Sequence, residues 1–180
     1  MTTLTVGFLA GGKGSRLGGR DKGLLSRDGY LQIDVLTRAL PTSVSEIIVS
    51  NSRNAHLYRL FADRLVCDYP IDAGPVAGVL ALLYACTTDW LAIVPCDLKQ
   101  LPAAWVAHWQ VTMSNGDTGC VAIDDGYLTP LAILPRTALG LCQTYFDSGG
   151  RKLSDAYAAM ELSRYHCLGA GLDIDCWVDI

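Results

Sequence analysis

Residues 4–25 read LTVGFLAGGKGSRLGGRDKGLL, an apolar, β-favouring run that stops in a segment dense in glycine and basic side chains. The run over residues 4–10 predicts a buried first strand. Gly11, Gly12, Gly14, Gly18, Gly19 and Gly23 remove Cβ atoms from the segment that follows, so its backbone amides can converge on an anion. Lys13, Arg16, Arg20 and Lys22 place positive charge beside those amides. No Gly-Lys-Ser or Gly-Lys-Thr closes the loop, which excludes a Walker A motif. Leu17 stands three positions after Gly14 and no helix pattern opens there, which excludes a dinucleotide fingerprint. An ordinary flexible glycine turn is the alternative, and the local concentration of basic residues argues against it.

The pattern beyond the loop alternates between strand and helix. Leu31, Val35, Leu36, Ala39 and Leu40 form a helical stripe over 31–40 that Pro41 closes. Strands are expected over 46–50, 64–67 and 90–94, with helices over 55–62 and 76–86 between them. Pro102 suits the first turn of a helix whose face carries Leu101, Trp105, Val106 and Trp109. Segments 119–123 and 128–134 read as neighbouring strands about the turn Asp124-Asp125-Gly126, followed by helices over 137–146 and 152–160 and a last strand over 175–180. The expected architecture is α/β: a Rossmann-like, doubly wound, mostly parallel sheet, mixed at one edge, with helices on both faces and residues 1–180 in one domain.

Composition narrows the function. The 180 residues are 51% hydrophobic, with 14 Lys plus Arg against 18 Asp plus Glu, a net charge of −4. Such a chain has no diffuse basic field to attract nucleic acid or a membrane surface, so any positive site is local. The seven cysteines (Cys67, Cys86, Cys96, Cys120, Cys142, Cys167, Cys176) contain no pair at two-residue spacing, so neither a disulfide framework nor a zinc knuckle is indicated. They read as buried thiols in a reducing cytoplasm. The N-terminal run lacks the basic region and cleavage site of a signal peptide, and the longest apolar stretch, 76–86, is too short to span a bilayer.

Several polar residues fall where an open α/β sheet binds ligands, at the carboxyl ends of strands. Asp97 ends WLAIVPCD, and a carboxylate there can hold Mg²⁺ through one oxygen while waters and phosphate oxygens complete an octahedron. Helix capping is its alternative role. Asn51 and Asp68 follow two further strands, so three polar groups face one crevice, although both residue types also favour Asx turns. In DAGPVAG, containing Asp72, Gly74, Pro75 and Gly78, the second helix glycine admits either a close ligand or tight helix packing. Ser148-Gly149-Gly150-Arg151-Lys152 forms a second basic, glycine-containing cluster. His56, His108 and His166 lack nucleophile signatures, and Trp90, Trp105, Trp109 and Trp177 read as core or partner-contact residues.

Leu-Ala-Gly-Gly at 9–12, Ser-Arg-Leu-Gly-Gly at 15–19 and Asp-Lys-Gly-Leu-Leu at 21–25 resemble the molybdenum cofactor guanylyltransferases, the MobA family of the nucleotidyltransferase superfamily. The likeness extends more loosely from residue 5 to residue 180. It implies a magnesium-dependent transfer of GMP from GTP to the terminal phosphate of molybdopterin. By the resemblance, Arg16 and Lys22 meet the phosphates, the amides of Leu9, Ala10, Gly11 and Gly12 receive the nucleotide, and Asn51 and Asp68 lie near the guanine. Gly78 admits the ligand, Asp97 holds the metal, and Arg151, Lys152 and Asp179 face the acceptor. Molybdenum insertion proteins or recipient apoenzymes are the implied protein partners. Competing readings are a CTP or sugar-phosphate enzyme of the same superfamily and a GTP-binding paralogue without turnover. The segment Cys176-Trp177-Val178-Asp179-Ile180 resembles the family's final strand but stops before its usual Asn-Thr-Pro or Asp-Thr-Pro segment and closing helix. The expectation from that departure is family-like GTP binding with weak acceptor binding.

Overall fold

A computed structural model describes residues 3–12, 19–68, 70–71, 73–116 and 118–171, the side chain of Arg27 apart. Strand β1 (Leu4–Leu9) is followed by a 3-10 turn (Lys22–Leu24), a short antiparallel pair β2 (Ser26–Arg27) and β3 (Tyr30–Leu31), and helix α1 (Gln32–Arg38). Then come β4 (Glu46–Ser50), α2 (Ala55–Tyr58), β5 (Arg64–Val66), α3 (Pro75–Ala85) and β6 (Trp90–Pro95). The second half holds α4 (Ala103–Asn115), β7 (Cys120–Asp124), β8 (Tyr127–Pro135), α5 (Leu139–Asp147), α6 (Leu153–Ala159) and β9 (Ser163–His166).

The main sheet has seven strands in the order β5-β4-β1-β6-β8-β7-β9. β1 runs parallel to β4 and β6, and β4 to β5; β8 is antiparallel to both β6 and β7, and β9 is parallel to β7. The mostly parallel, edge-mixed sheet read from the sequence is thus the one the chain forms.

Strand alternation divides the core into two layers. Leu4, Val6, Phe8, Ala92 and Val94 face Ile33, Leu36, Trp105 and Trp109 of α1 and α4, while Ile48, Leu91, Ile93 and Leu134 face α3, α5 and α6. Both faces of β1 and β6 are covered, which is why those strands read as continuous apolar runs. Gly7 is a consequence of that covering, because a Cβ there would lie 2.8 Å from Leu82 Cδ1 and 3.0 Å from Leu91 Cδ1. Trp90, Trp105 and Trp109 are core residues as expected; Trp177 and the strand expected over 175–180 lie outside the described residues.

The differences have local causes. The helix expected over 55–62 is the single turn α2, because the Phe61 and Asp63 amides bond to the Tyr58 and Ile47 carbonyls and deliver the chain into β5. The helix expected over 137–146 begins as a 3-10 turn, Arg136–Ala138. The β2–β3 pair was not expected, although its turn carries Asp28 and Gly29, both at positive φ, a favoured hairpin dipeptide. Asp125 and Gly126 make the corresponding turn between β7 and β8. Strand β9 was also missed; it is short and mostly exposed, so it carries no apolar alternation. Cys86, Cys96, Cys120, Cys142 and Cys167 are buried free thiols, but Cys67 is exposed, contrary to expectation, since it follows an edge strand. No helix among the described residues is long and apolar enough to cross a membrane.

Two glycines test this packing in opposite directions. Gly119, at φ +108°, leads into β7, and a Cβ there would lie 2.6 Å from the Ile133 carbonyl oxygen, whereas Gly140 sits in α5 with open space around it. Urea unfolding is expected to show Gly119→Ala losing about 2–3 kcal/mol and Gly140→Ala gaining up to about 1 kcal/mol. Equal effects would contradict the described backbone at residue 119.

Candidate nucleotide-binding site

The carboxyl ends of β1, β5 and β6 meet the start of α3 around a cavity of about 480 Å³, lined by Leu9, Gly11, Gly12, Asp68, Gly78 and Asp97 together with Gly74, Pro75, Pro95, Pro130 and Leu153. Its shape depends on absent Cβ atoms. A Cβ on Gly11 would stand 2.6 Å from Asp68 Oδ2; one on Gly78 would stand 2.9 Å from Leu9 Cδ2 and 3.4 Å from Asp68 Oδ1. The Asp68 carboxylate, 9% exposed, therefore sits between the loop after β1 and the first turn of α3, and the Ser50 hydroxyl donates to its Oδ1. A buried carboxylate needs such donors to remain stable.

Asp97 is held from three sides. The Cys96 amide donates to the Leu9 carbonyl at 3.1 Å, and the Leu98 amide to the Pro95 carbonyl at 3.3 Å. The amide of Gln32, buried at the start of α1, donates to the carbonyls of Leu98 and Lys99. Lys22 Nζ lies 3.0 Å from Asp97 Oδ2, with both side chains partly exposed. A recess of about 50 Å³ beside this pair is lined by Leu9, Ala10, Gly12, Asp21, Lys22, Gly23, Cys96 and Asp97.

Beneath the recess lies a polar network the sequence reading did not find. Asp21 accepts from Asn54 Nδ2 at 2.9 Å and from Tyr58 Oη at 2.5 Å. Burial raises the Tyr58 pKa well above the usual phenol range, with Cys96 and Asp21 adding to the shift, so the hydroxyl remains a donor. Burial likewise keeps the Cys96 thiol protonated, with Asp97 and Asp21 reinforcing it, so this cysteine is no nucleophile. Gly23 is required here because its Cβ would fall 2.5 Å from Tyr58 Oη and 3.0 Å from Cys96 Cβ. The Asp21-Lys22-Gly23 run was the available signal: one residue anchors, the next reaches the cavity, and the third gives room.

Not every expected residue reaches the cavity. The Ala10 amide is used by the Ser50 carbonyl at 2.8 Å, and Leu9 belongs to β1, so of the four loop amides expected on the nucleotide only those of Gly11 and Gly12 have no acceptor among the described residues. Asn51 is 2% exposed and donates Nδ2 to the Arg53 carbonyl at 2.9 Å; it shapes its loop and does not line the cavity. Arg151 Nη1 donates to the carbonyls of Phe146 and Gly150, and its guanidinium stands 3.9 Å over the Phe146 ring. Lys152 pairs with Asp155 at 3.2 Å. That cluster closes the end of α5, and it is Leu153 that reaches the cavity. Arg16, Asp72 and Asp179 lie outside the described residues. His56 and His166 are exposed and His108 stacks on Tyr165 at 3.8 Å, away from the cavity. Among the described residues no group of three or more His, Cys, Asp or Glu side chains is placed to hold a metal.

Residues 6–162 match the family model described as the MobA-like NTP transferase domain. The molybdenum cofactor guanylyltransferase of Pseudomonas entomophila (strain L48) is 32% identical over 151 residues, 83% of this chain and 79% of that protein. Molybdopterin-guanine dinucleotide biosynthesis protein A from Archaeoglobus fulgidus has a similar structure, with a TM-score of 0.71 at 19% identity over 90% of this chain and 83% of its own. A CMP:2-keto-3-deoxy-manno-octonic acid synthetase complexed with CTP gives a TM-score of 0.70 at 12% identity, covering 97% of this chain and 93% of that one. These two structural likenesses concern the fold alone.

Tyr58→Phe removes the donor at 2.5 Å from Asp21 and leaves the carboxylate under-satisfied. The expected loss is about 1.5–3 kcal/mol of unfolding free energy, the range for hydrogen bonds to charged groups. A variant as stable as the parent would show that the Asp21 network does not support the recess.

Proposed function

This chain belongs to the MobA-like NTP transferase family, and on that premise we propose that it transfers GMP from GTP to the terminal phosphate of molybdopterin, releasing pyrophosphate. One observation carries the reading from family to site: the cavity at the sheet's carboxyl edge is lined by two carboxylates, Asp68 and Asp97, together with Gly11 and Gly12, and Lys22 stands 3.0 Å from Asp97.

The acceptor is already a nucleophile. A phosphate monoester carries close to two negative charges near neutral pH, with a second pKa of about 6, so no strong general base has to activate it. An acceptor oxygen attacks the α-phosphorus in line. The new phosphorus–oxygen bond forms as the bond to the bridging oxygen of the β-phosphate breaks, and the electron pair leaves with pyrophosphate. The barrier is electrostatic, because two anions must approach. Lys22 and the amides of Gly11 and Gly12 oppose that repulsion, and Arg16 adds to them through the family motif.

Magnesium suits the residues present. It is commonly held by one or two carboxylates together with phosphate oxygens, and Asp97 is one partly exposed carboxylate beside the cavity. Asp97 would hold the ion, which would supply charge neutralisation at the phosphates. Asp68 selects the base: its oxygens accept the N1–H and N2–H of guanine, whereas cytosine offers one amino donor beside acceptor atoms that a carboxylate repels. The reaction belongs in the cytoplasm, with recipient apoenzymes downstream.

Pyrophosphate release, followed with magnesium, molybdopterin and each nucleoside triphosphate in turn, tests these roles. GTP is expected to be the working donor. Asp97→Asn is expected to lose transfer by at least about a hundredfold and Lys22→Ala by at least about tenfold, roughly 1.4 kcal/mol or more of transition-state stabilisation. Retention of full rate by either variant removes that residue from the mechanism. Asp68→Asn keeps a partner for Ser50 but turns a donor toward guanine, so the preference for GTP over ATP is expected to fall by about tenfold or more. An unchanged preference would move base recognition elsewhere.

A further inference from the structure

The loop between β4 and α2 carries Arg53, whose side chain does not line the cavity. It crosses instead to the glycine-rich loop. Nη1 donates to the Gly19 carbonyl at 2.7 Å, and Nη2 donates to the carbonyls of Gly12 and Arg20, each at 3.1 Å. Its Nε lies 3.8 Å from Asp21 Oδ2, beyond hydrogen-bond distance, and is buried without a hydrogen-bond partner among the described residues. Gly12 and Gly19 flank residues 13–18, so one guanidinium ties both ends of that segment together.

We propose that Arg53 is a positioning residue for the nucleotide, a clamp that gathers the two flanks of the glycine-rich loop before the triphosphate arrives. The inference rests on the nucleotidyl-transfer reading for what the loop binds. Three features support it. The planar fork of arginine supplies donors in fixed directions to separate carbonyls, which the single ammonium of lysine does not. The carbonyl oxygens it holds are partial negative charges beside an anion site, and pairing them with a cation reduces their repulsion of phosphate. The clamp is itself anchored: Asn51 Nδ2 donates to the Arg53 carbonyl at 2.9 Å, and Asn54 Nδ2 holds Asp21, next to Arg20, at 2.9 Å. Asn51 is thereby given a role through Arg53.

The energetic consequence falls on binding. A loop ordered in advance loses less conformational entropy when the triphosphate binds, so removing the clamp is expected to weaken the nucleotide complex more than it slows chemistry within it. The backbone on either side of Asp97 is held by the turn after β6 and by Gln32, and not by Arg53.

Two measurements on the full chain test the clamp. In nucleotide-free protein, hydrogen exchange at Leu24 and Leu25, whose amides bond to the Asp21 and Lys22 carbonyls beside the clamped segment, is expected to quicken at least about tenfold in Arg53→Ala, with the β1 and β6 amides unchanged. By calorimetry and steady-state kinetics, the same variant is expected to raise the Kd and KM for Mg-GTP about tenfold. Its kcat should stay within about threefold and its KM for the pterin acceptor within about twofold, while Arg53→Lys recovers part of the GTP affinity. Unchanged loop exchange overturns the proposal, and so does unchanged GTP affinity. A parallel rise in both KM values with a lowered Tm also overturns it, since that is general loss of support. A parent protein that transfers no GMP defeats the reading of its reaction, while the exchange comparison still decides whether Arg53 holds the loop.

Discussion

The site depends on a steric constraint at the carboxylate of Asp68. It occupies a gap that exists only because positions 11 and 78 carry no Cβ, and Ser50 at the end of β4 supplies a hydrogen bond to it. That one side chain therefore sets the distance between the loop after β1, the end of β5 and the first turn of α3. Sheet order makes the meeting possible: β5, β4, β1 and β6 are consecutive and parallel, so their carboxyl ends open on the same side. A side chain at either glycine would collide with the carboxylate or Leu9 before it met any ligand, so packing and ligand space impose the same requirement there.

The electrostatics follow from burial and not from composition. With a net charge of −4, the chain has no overall attraction for a triphosphate. Positive potential is built locally, from Lys22, from amides freed of Cβ atoms, and from a guanidinium that engages nearby carbonyls. The acidic residues near the site are divided by their partners. Asp21 is committed to Asn54 and Tyr58, Asp68 is held by Ser50, and Asp97 stands beside Lys22 where solvent and ligand reach it. Environment separates three chemically similar carboxylates into an anchor, a wall and a charged edge.

What could be read from sequence followed how far each signal acts along the chain. Strands β1, β4 and β6 were legible because burial on both faces, or nearly so, writes a continuous apolar run. Gly11, Lys22, Asp68 and Asp97 were legible as strand-end or loop residues and Gly78 as a helix glycine, and all line the cavity or the recess beside it. A side chain's actual hydrogen-bond partners were less legible, whether near or far along the chain. Arg151 reads as a cation for an acceptor but bonds to the Phe146 and Gly150 carbonyls; Asn51 reads as a base contact but shapes its own loop. Arg53 is one polar residue in a Ser-Arg-Asn loop, and Gln32 is one amide at a helix start. Their partners, Gly12, Gly19 and Leu98, are brought near only by the finished fold.

The distribution of these groups over rigid and loop elements has a functional logic. Asp68 is packed at a strand end against two backbone segments, so its oxygens have little freedom, as the base selection proposed for it requires. The groups proposed to meet phosphates belong to the glycine-rich segment, where six glycines between residues 11 and 23 raise the conformational entropy that ordering the backbone costs. Arg53 acts on the described flanks of this loop, at the carbonyls of Gly12, Gly19 and Arg20. Holding the flanks is compatible with anion binding because the guanidinium binds carbonyl oxygens, leaving amide N–H groups available to an anion.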